Sequence, residues 1–164
     1  MLEHQSMVFS IALRILNDRF LAEEAAQDVF LELHAKLDEL ESPFFESGSH
    51  IVHWLRRCTV HRSIDRVRQR ERRPEVAMNS EDLPEPAAEP GTGPDRGDPF
   101  LSHQLRQLVA SLPATLRAIM TLRYQEDRTP EEIAELLAMP VATVKSHLRR
   151  TLRLLREKLT RVLR

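Results

Sequence analysis

The segment TPEEIAELLAMPVATVKSHLRR, residues 129–150, constrains the fold of this chain more than any other. Thr129 suits a helix cap, Pro130 the first helical position, and Glu131 and Glu132 the positive end of the helix dipole. Glu132 lies three residues after Thr129, as a capping box requires. Ile133, Ala134, Leu136 and Leu137 give this short helix an apolar face. Met139-Pro140 ends it, because the residue before a proline is disfavoured in the helical region. A second helix begins at Val141, with apolar residues at Val144, Leu148, Leu152, Leu155, Leu159 and Val162, one continuous stripe. Its opposite face carries Lys145, Ser146, Arg149, Arg150, Arg153 and Arg156. A basic face on an arbitrary helix is ordinarily just solvated. Here a short helix and a tight turn precede it, and the charge begins at the end that would enter a DNA major groove.

The 164 residues carry a formal net charge of −1, which by itself argues against a nucleic-acid partner. The neutrality comes from segregation. Residues 74–99, PEVAMNSEDLPEPAAEPGTGPDRGDP, hold six of the ten prolines, three of the four glycines, and seven acids against Arg96. Such a stretch buries too little apolar surface to fold alone and reads as a flexible acidic linker. It divides the chain into helical domains at 1–73 and 100–164. Scarce aromatics, long helical periodicity and no alternating β-branched runs make the fold all-α. The sequence has no long apolar run or signal-peptide pattern. A single cysteine, Cys58, excludes an internal disulfide and suits a reducing cytoplasm.

In the N-terminal domain, periodicity predicts helices over 2–16 and 21–40, separated by a turn at Asn17-Asp18-Arg19. A Phe-Phe loop at 42–48 and a long helix from about Ser49 to Arg72 follow. The second helix sets Glu23, Glu24, Gln27, Asp28 and Glu32 opposite its apolar stripe. The third includes WLRRCTVHRSIDRVRQRERR, residues 54–73, with eight arginines against Asp65 and Glu71. Arginines for phosphates beside aromatic rings suit unpaired strands. For Trp54, core packing is at least as good a reading as base contact. The C-terminal domain adds a helix over 100–110 and another after Leu112-Pro113.

His50, His53, Cys58 and His61 invite a metal reading. On one helix His50 and His61 stand about 16 Å apart at 1.5 Å per residue, whereas zinc ligands lie about 2 Å from the ion. No metal or other cofactor is therefore expected. No nucleophile–base pair or Gly-rich phosphate loop stands out, so no enzyme is expected either.

One element suited to duplex and one suited to single strands, joined by an acidic linker, resemble an extracytoplasmic-function sigma factor of the sigma-70 family. The resemblance is carried by AEEAAQDVFLELHAKL (22–37), by the Arg-rich stretch at 54–73, and by residues 112–159. It implies a dissociable initiation subunit of bacterial RNA polymerase that recognises and melts promoters. Glu24, Gln27, Asp28 and Glu32 would dock on the clamp coiled coil of the largest subunit, their acidic face awaiting a basic partner. The flap of the second-largest subunit would be a further polymerase contact. Phe45, Ser47, Gly48, Trp54, His61, Arg62 and Arg66 would read the −10 element as single strand, a flipped base being offset by a pocket and stacking. Thr143, Lys145, Ser146, Arg149 and Arg150, supported by Arg123, would read the −35 duplex. The linker would thread the polymerase channels. The resemblance further implies a cytoplasmic protein, monomeric when free, with an anti-sigma factor as a second partner.

The sequence departs from the family pattern at His61, where Asn is usual, and at Ala138 and Ala142, where Gly is usual. Family members also carry more residues before the position of Met1. The competing reading is a response-regulator-type transcription factor, since TVKSHLRR also resembles the recognition helix of that class. It would bind duplex DNA as a dimer without polymerase, and it accounts only for the C-terminal third.

Overall fold

The computed structural model describes residues 2–39, 48–72 and 99–162, and every regular element among them is helical. The elements are α1 (Leu2–Leu16), α2 (Arg19–Glu39), α3 (Gly48–Arg72), α4 (Pro99–Ala110), α5 (Ala114–Tyr124), α6 (Pro130–Leu137) and α7 (Val141–Val162). The expected loop residues Phe45 and Ser47 lie outside the described residues. So does the acidic segment, apart from Pro99, which opens α4 at a position suited to its missing N–H. Among the described residues no helix is long and apolar enough to cross a membrane.

The turn between α1 and α2 is tighter than the expected Asn17-Asp18-Arg19. Asn17 takes a left-handed conformation (φ 50°) and its N–H bonds to the Leu13 carbonyl. Asp18 then caps α2, its Oδ1 accepting from the Leu21 N–H at 3.1 Å. Arg19 is thereby the first residue of the helix instead of the last of the turn. Asn and Asp suit these positions because short polar side chains tolerate left-handed backbone and cap helices.

The turn between α6 and α7 is the expected one in chemistry. The Thr129 hydroxyl accepts from the Glu132 N–H at 3.2 Å, and Glu132 Oε2 accepts from the Thr129 N–H at 2.8 Å. Helix α6 stops one residue before the Met139-Pro140 break. Ala138 adopts a left-handed conformation (φ 51°, ψ 48°), and the Met139 N–H reaches back to the Ala134 carbonyl at 3.0 Å. This closure usually uses glycine, and alanine there costs about 1 kcal/mol through Cβ crowding. Ala142 lies exposed in the first turn of α7.

Helices α1, α2 and α3 pack together through Val8, Val29, Leu33 and Leu55, with Trp54, Phe30, Ile51 and Cys58 against them. A second cluster joins both halves of the sequence. Ile11 and Ile15 of α1 and Val60, Ile64 and Val67 of α3 meet Ala118, Ile119 and Leu122 of α5, then Ile133 and Leu136 of α6, then Val144 and Leu148 of α7. Burying each such side chain contributes roughly 1.5–3 kcal/mol. Helix α3 is therefore central, contacting α1, α2, α5 and α6.

Candidate nucleic-acid interface

The amphipathic stripe of α7 buries Val144, Leu148, Thr151 and Leu155. The intervening positions turn Lys145, Ser146, Arg149, Arg150 and Arg153 to solvent, while Thr143 is half-buried. Four cations at successive helical spacings thus share one open face. Lys145 Nζ lies 2.9 Å from Glu131 Oε1 of α6. That hydrogen bond is the largest cause holding the Glu131 carboxyl below its ordinary range. Glu132 is also lowered, first by the Thr129 backbone N–H of the capping box.

Arg123, expected to support this face, lies on α5 and donates from Nη1 to the Arg128 carbonyl at 3.1 Å. Arg128 organises the same corner, donating to the Glu126 carbonyl at 2.7 Å and to Glu132 Oε1 at 2.9 Å. Arg128 was not singled out from sequence. Its place four residues before Glu132 was the available signal.

The α3 site is arranged differently from expectation. Arg62 donates to Glu32 of α2, its Nε at 3.1 Å from Oε2, and its Nη1 stands 3.9 Å from Asp28 Oδ2. The hydrogen bond to Glu32 is the main cause raising the Arg62 pKa. Arg66 bonds Glu24 at 2.7 Å and Asp28 at 2.5 Å. Arg70 lies 3.2 Å from Asp18. The acids read as awaiting a basic partner have one within the chain, because α2 and α3 pack with their charged rows facing. Two sets of residues assigned to different partners, Glu24, Asp28 and Glu32 against Arg62 and Arg66, form a single ladder.

Of the α2 row, Glu23 pairs with Arg19 instead, and Gln27 also stands outside the ladder. Gln27 is exposed and lines a groove of about 580 Å³ with Gln5, Phe9, Phe30, Leu31 and His34. Beside it, Phe20 and Leu31 are 68% and 69% exposed, unusually open for large apolar side chains. Trp54 is half-buried against the α1–α2–α3 core, which favours the packing role over base stacking. Gly48 is exposed at the start of α3, and a Cβ there would meet nothing within 4 Å. Cys58 is half-buried; burial first, and then Glu32, push its thiol up to about 11.

His61, the residue that replaces the usual Asn, is bound to the other half of the chain. Its Nε2 lies 2.8 Å from the Leu136 carbonyl of α6, to which the ring N–H donates. Arg56 Nε is 3.1 Å from Glu126 Oε2, with side chains only 19% and 15% exposed. His53 Nε2 is 3.8 Å from Glu135 Oε1, and Arg68 Nη2 is 3.5 Å from Thr115 Oγ1. Sequence reasoning missed Arg56, Glu126 and Glu135, which are 70 or more residues apart in pairs and carry no local signature. Among the described residues no group of three His, Cys, Asp or Glu side chains is placed to hold a metal ion.

An open row of cations on the second helix of a helix-turn-helix, beside a long Arg-rich helix, defines a class of DNA-associated helical proteins. The comparisons specify it further. The family model for sigma-70 region 2 matches residues 1–73, and that for sigma-70 region 4 matches residues 102–155. The chain is 25% identical over 165 residues to the ECF RNA polymerase sigma factor SigW of Bacillus subtilis (strain 168), covering 95% of this chain and 84% of that protein. It is 29% identical over 164 residues to the ECF RNA polymerase sigma factor SigE of Mycolicibacterium smegmatis, covering 97% of this chain and 60% of that protein. Among solved structures, the sigma factor RpoE in complex with the anti-sigma factor NepR from Bartonella quintana has a similar fold. It matches at TM-score 0.68 and 23% identity over 99% of this chain and 95% of that one.

The chain belongs to the sigma-70 family, and the two relatives above are extracytoplasmic-function (ECF) sigma factors. Promoter recognition in association with RNA polymerase comes with that membership.

Proposed function

We propose that this chain binds core RNA polymerase, recognises a two-part promoter and opens the DNA for initiation, with no catalysis of its own. The observation that carries the reading is the solvent-facing row Lys145, Ser146, Arg149 and Arg150 on α7, in a chain whose other half matches sigma-70 region 2. Helix α7 presents the N-terminal part of this row to the −35 major groove, with Thr143 at its edge and Arg123 bracing from α5. Phosphate contacts fix register and bidentate arginine contacts to guanine discriminate sequence.

Residues 1–73 take the polymerase and −10 roles, residues 100–164 the −35 role, and 74–99 the connection between them. In the first unit, Gln27 and the apolar groove it lines offer the polymerase clamp a docking surface. Glu24, Asp28 and Glu32 act there through the ladder they form with α3. Phe45, Ser47 and Gly48 capture an extruded base with Trp54 nearby in sequence, and His61, Arg62 and Arg66 reach the strand by giving up the Leu136 carbonyl and the acids of α2. The polymerase flap contacts the C-terminal unit. An anti-sigma factor, as in the RpoE–NepR complex, is the second protein partner. The free chain is a cytoplasmic monomer without cofactor.

Run-off transcription with core enzyme tests this reading. Template-specific transcripts that depend on the added chain are expected. A confirmed complex with core enzyme that yields no specific transcript overturns it.

A further inference from the structure

Of the cations in the open row on α7, Lys145 is the one that meets an acid among the described residues. That acid, Glu131, stands in the first turn of α6, where the helix dipole by itself would account for its charge. We propose that Glu131 is a positioning residue for the −35 contact: it holds the Lys145 ammonium from the side of α6, keeps that charge off the phosphates and leaves it aimed at a base edge. The aiming rests on the −35 role given to α7 above; the hold does not.

The hold is built on two fixed backbones. Lys145 Nζ is 2.9 Å from Glu131 Oε1, the distance of a charge-assisted hydrogen bond. The Thr129–Glu132 capping box sets the turn of α6 that carries Glu131, and the buried Ile133 and Ala134 anchor that helix. On α7, Lys145 lies between the buried Val144 and Leu148, in the N-terminal half that enters the groove. The Lys145 hydrogen bond is the largest cause lowering the Glu131 pKa, ahead of the residue's own backbone N–H, and Arg123 of α5 acts in the same direction. Glu131 therefore feels both the recognition helix and the arginine that braces it.

A lysine left unheld has no reason to choose a base. Its four-carbon stem carries a compact charge in any direction, which suits every phosphate. Phosphate contacts add affinity without sequence information, whereas contacts to base edges discriminate. A carboxylate that takes one of the three ammonium donors, and fixes its direction, turns the first kind of contact into the second. The two side chains are 51% and 60% exposed, and an ion pair that open adds little stability. Its effect therefore falls on selectivity. The carboxylate also repels the DNA backbone, which lowers affinity for every sequence alike. Glu131 thus gives up affinity in exchange for discrimination.

Glu131→Gln in the full chain, assembled with core polymerase, tests the proposal. The probe is a duplex promoter library randomised over the −35 element, and discrimination is the enrichment of the best sequences over the median. Glu131→Gln is expected to bind the median sequence several-fold more tightly, to lower discrimination by about fivefold or more, and to steepen the salt dependence by about one phosphate contact. A merely structural defect would lower affinity and discrimination together. Glu157→Gln removes an equal charge from an exposed site further along α7 and should leave discrimination at the wild-type value. Lys145→Ala completes a double-mutant cycle, and in that background Glu131→Gln has to lose its effect on discrimination. Unchanged discrimination in Glu131→Gln overturns the proposal. So does an equal fall in both backgrounds, which would mean that the carboxylate reads a base itself. Nuclear magnetic resonance titration of the Glu131 carboxyl in the free chain reads the hold separately. Its pKa should rise in Lys145→Ala toward the ordinary value of 4.5, and no rise overturns the hold. If the carboxyl shifts as expected but the wild-type complex enriches no −35 sequence, the promoter reading falls together with the aiming, and the hold stands.

Discussion

Helices α3 and α7 are both long and both arginine-rich, yet their cations do different work. On α7 the row Arg149, Arg150 and Arg153 points away from the protein. On α3, Arg62, Arg66 and Arg70 turn back on acids of α2 and of the turn before it, and Arg56 reaches Glu126. The difference follows from what faces each row. Helices α4, α5 and α6 pack on α7 and leave its cationic face open, whereas the row on α3 lies against the acids of α2 and of the turn before it. An arginine on a surrounded helix is partly desolvated and requires a counter-charge. Charge density read along a sequence therefore reports an open cationic face for α7 and not for the Arg62–Arg66–Arg70 row of α3.

The largest effect is expected in the core of α3. Ile64→Ala, at a site 6% exposed, should lower unfolding free energy by about 2–4 kcal/mol. Chemical denaturation followed by circular dichroism checks it, and a loss below about 1 kcal/mol would show that α3 is not central. Next, Arg149→Ala should weaken promoter discrimination by about 1–3 kcal/mol and leave the unfolding midpoint unchanged. Competition binding of the polymerase complex to matched and mismatched −35 sequences measures the first quantity, and thermal melting the second.

Arg66→Ala should behave in the opposite way. Losing the bonds to Glu24 and Asp28 should cost about 1–2 kcal/mol of stability, less than a fully buried pair because the acids are near 40% exposed. If Arg66→Ala instead leaves stability intact and abolishes only DNA binding, the two helices are alike after all. Ala138→Gly sharpens the contrast from the α7 side. Relieving the left-handed alanine should stabilise the chain by up to about 1 kcal/mol, seen as a higher melting temperature. The smallest effect concerns acid. Glu131 and Glu132 have lowered pKa values, so their contribution is complete above the ordinary value of 4.5 and is lost as pH falls through the lower folded values. Glu132→Gln should lower the neutral plateau of a stability–pH curve slightly and flatten its acid limb, the two curves converging at low pH.

Much of the helical layout was legible in the sequence because it is local. Periodicity places the helices, and the capping box at Thr129 and Glu132 marks the start of α6 to the residue. What is not legible is which charged rows face each other. Glu32 and Arg62 are thirty residues apart, and neither carries a sign that distinguishes an internal pair from two external surfaces. The same holds for His61 and Leu136, where a side chain meets a backbone carbonyl and sequence chemistry offers no complement to search for. Helix α6 ends at Leu137, one residue short of Met139-Pro140, because Ala138 takes the left-handed conformation that closes it.

The Cys58 thiol, raised to about 11, has a practical consequence. At neutral pH the unreactive thiol form of Cys58 predominates. A maleimide reagent would therefore pass over Cys58 and attach to a solvent-exposed cysteine introduced elsewhere. Optical labels on introduced, exposed cysteines should therefore outcompete labelling at Cys58.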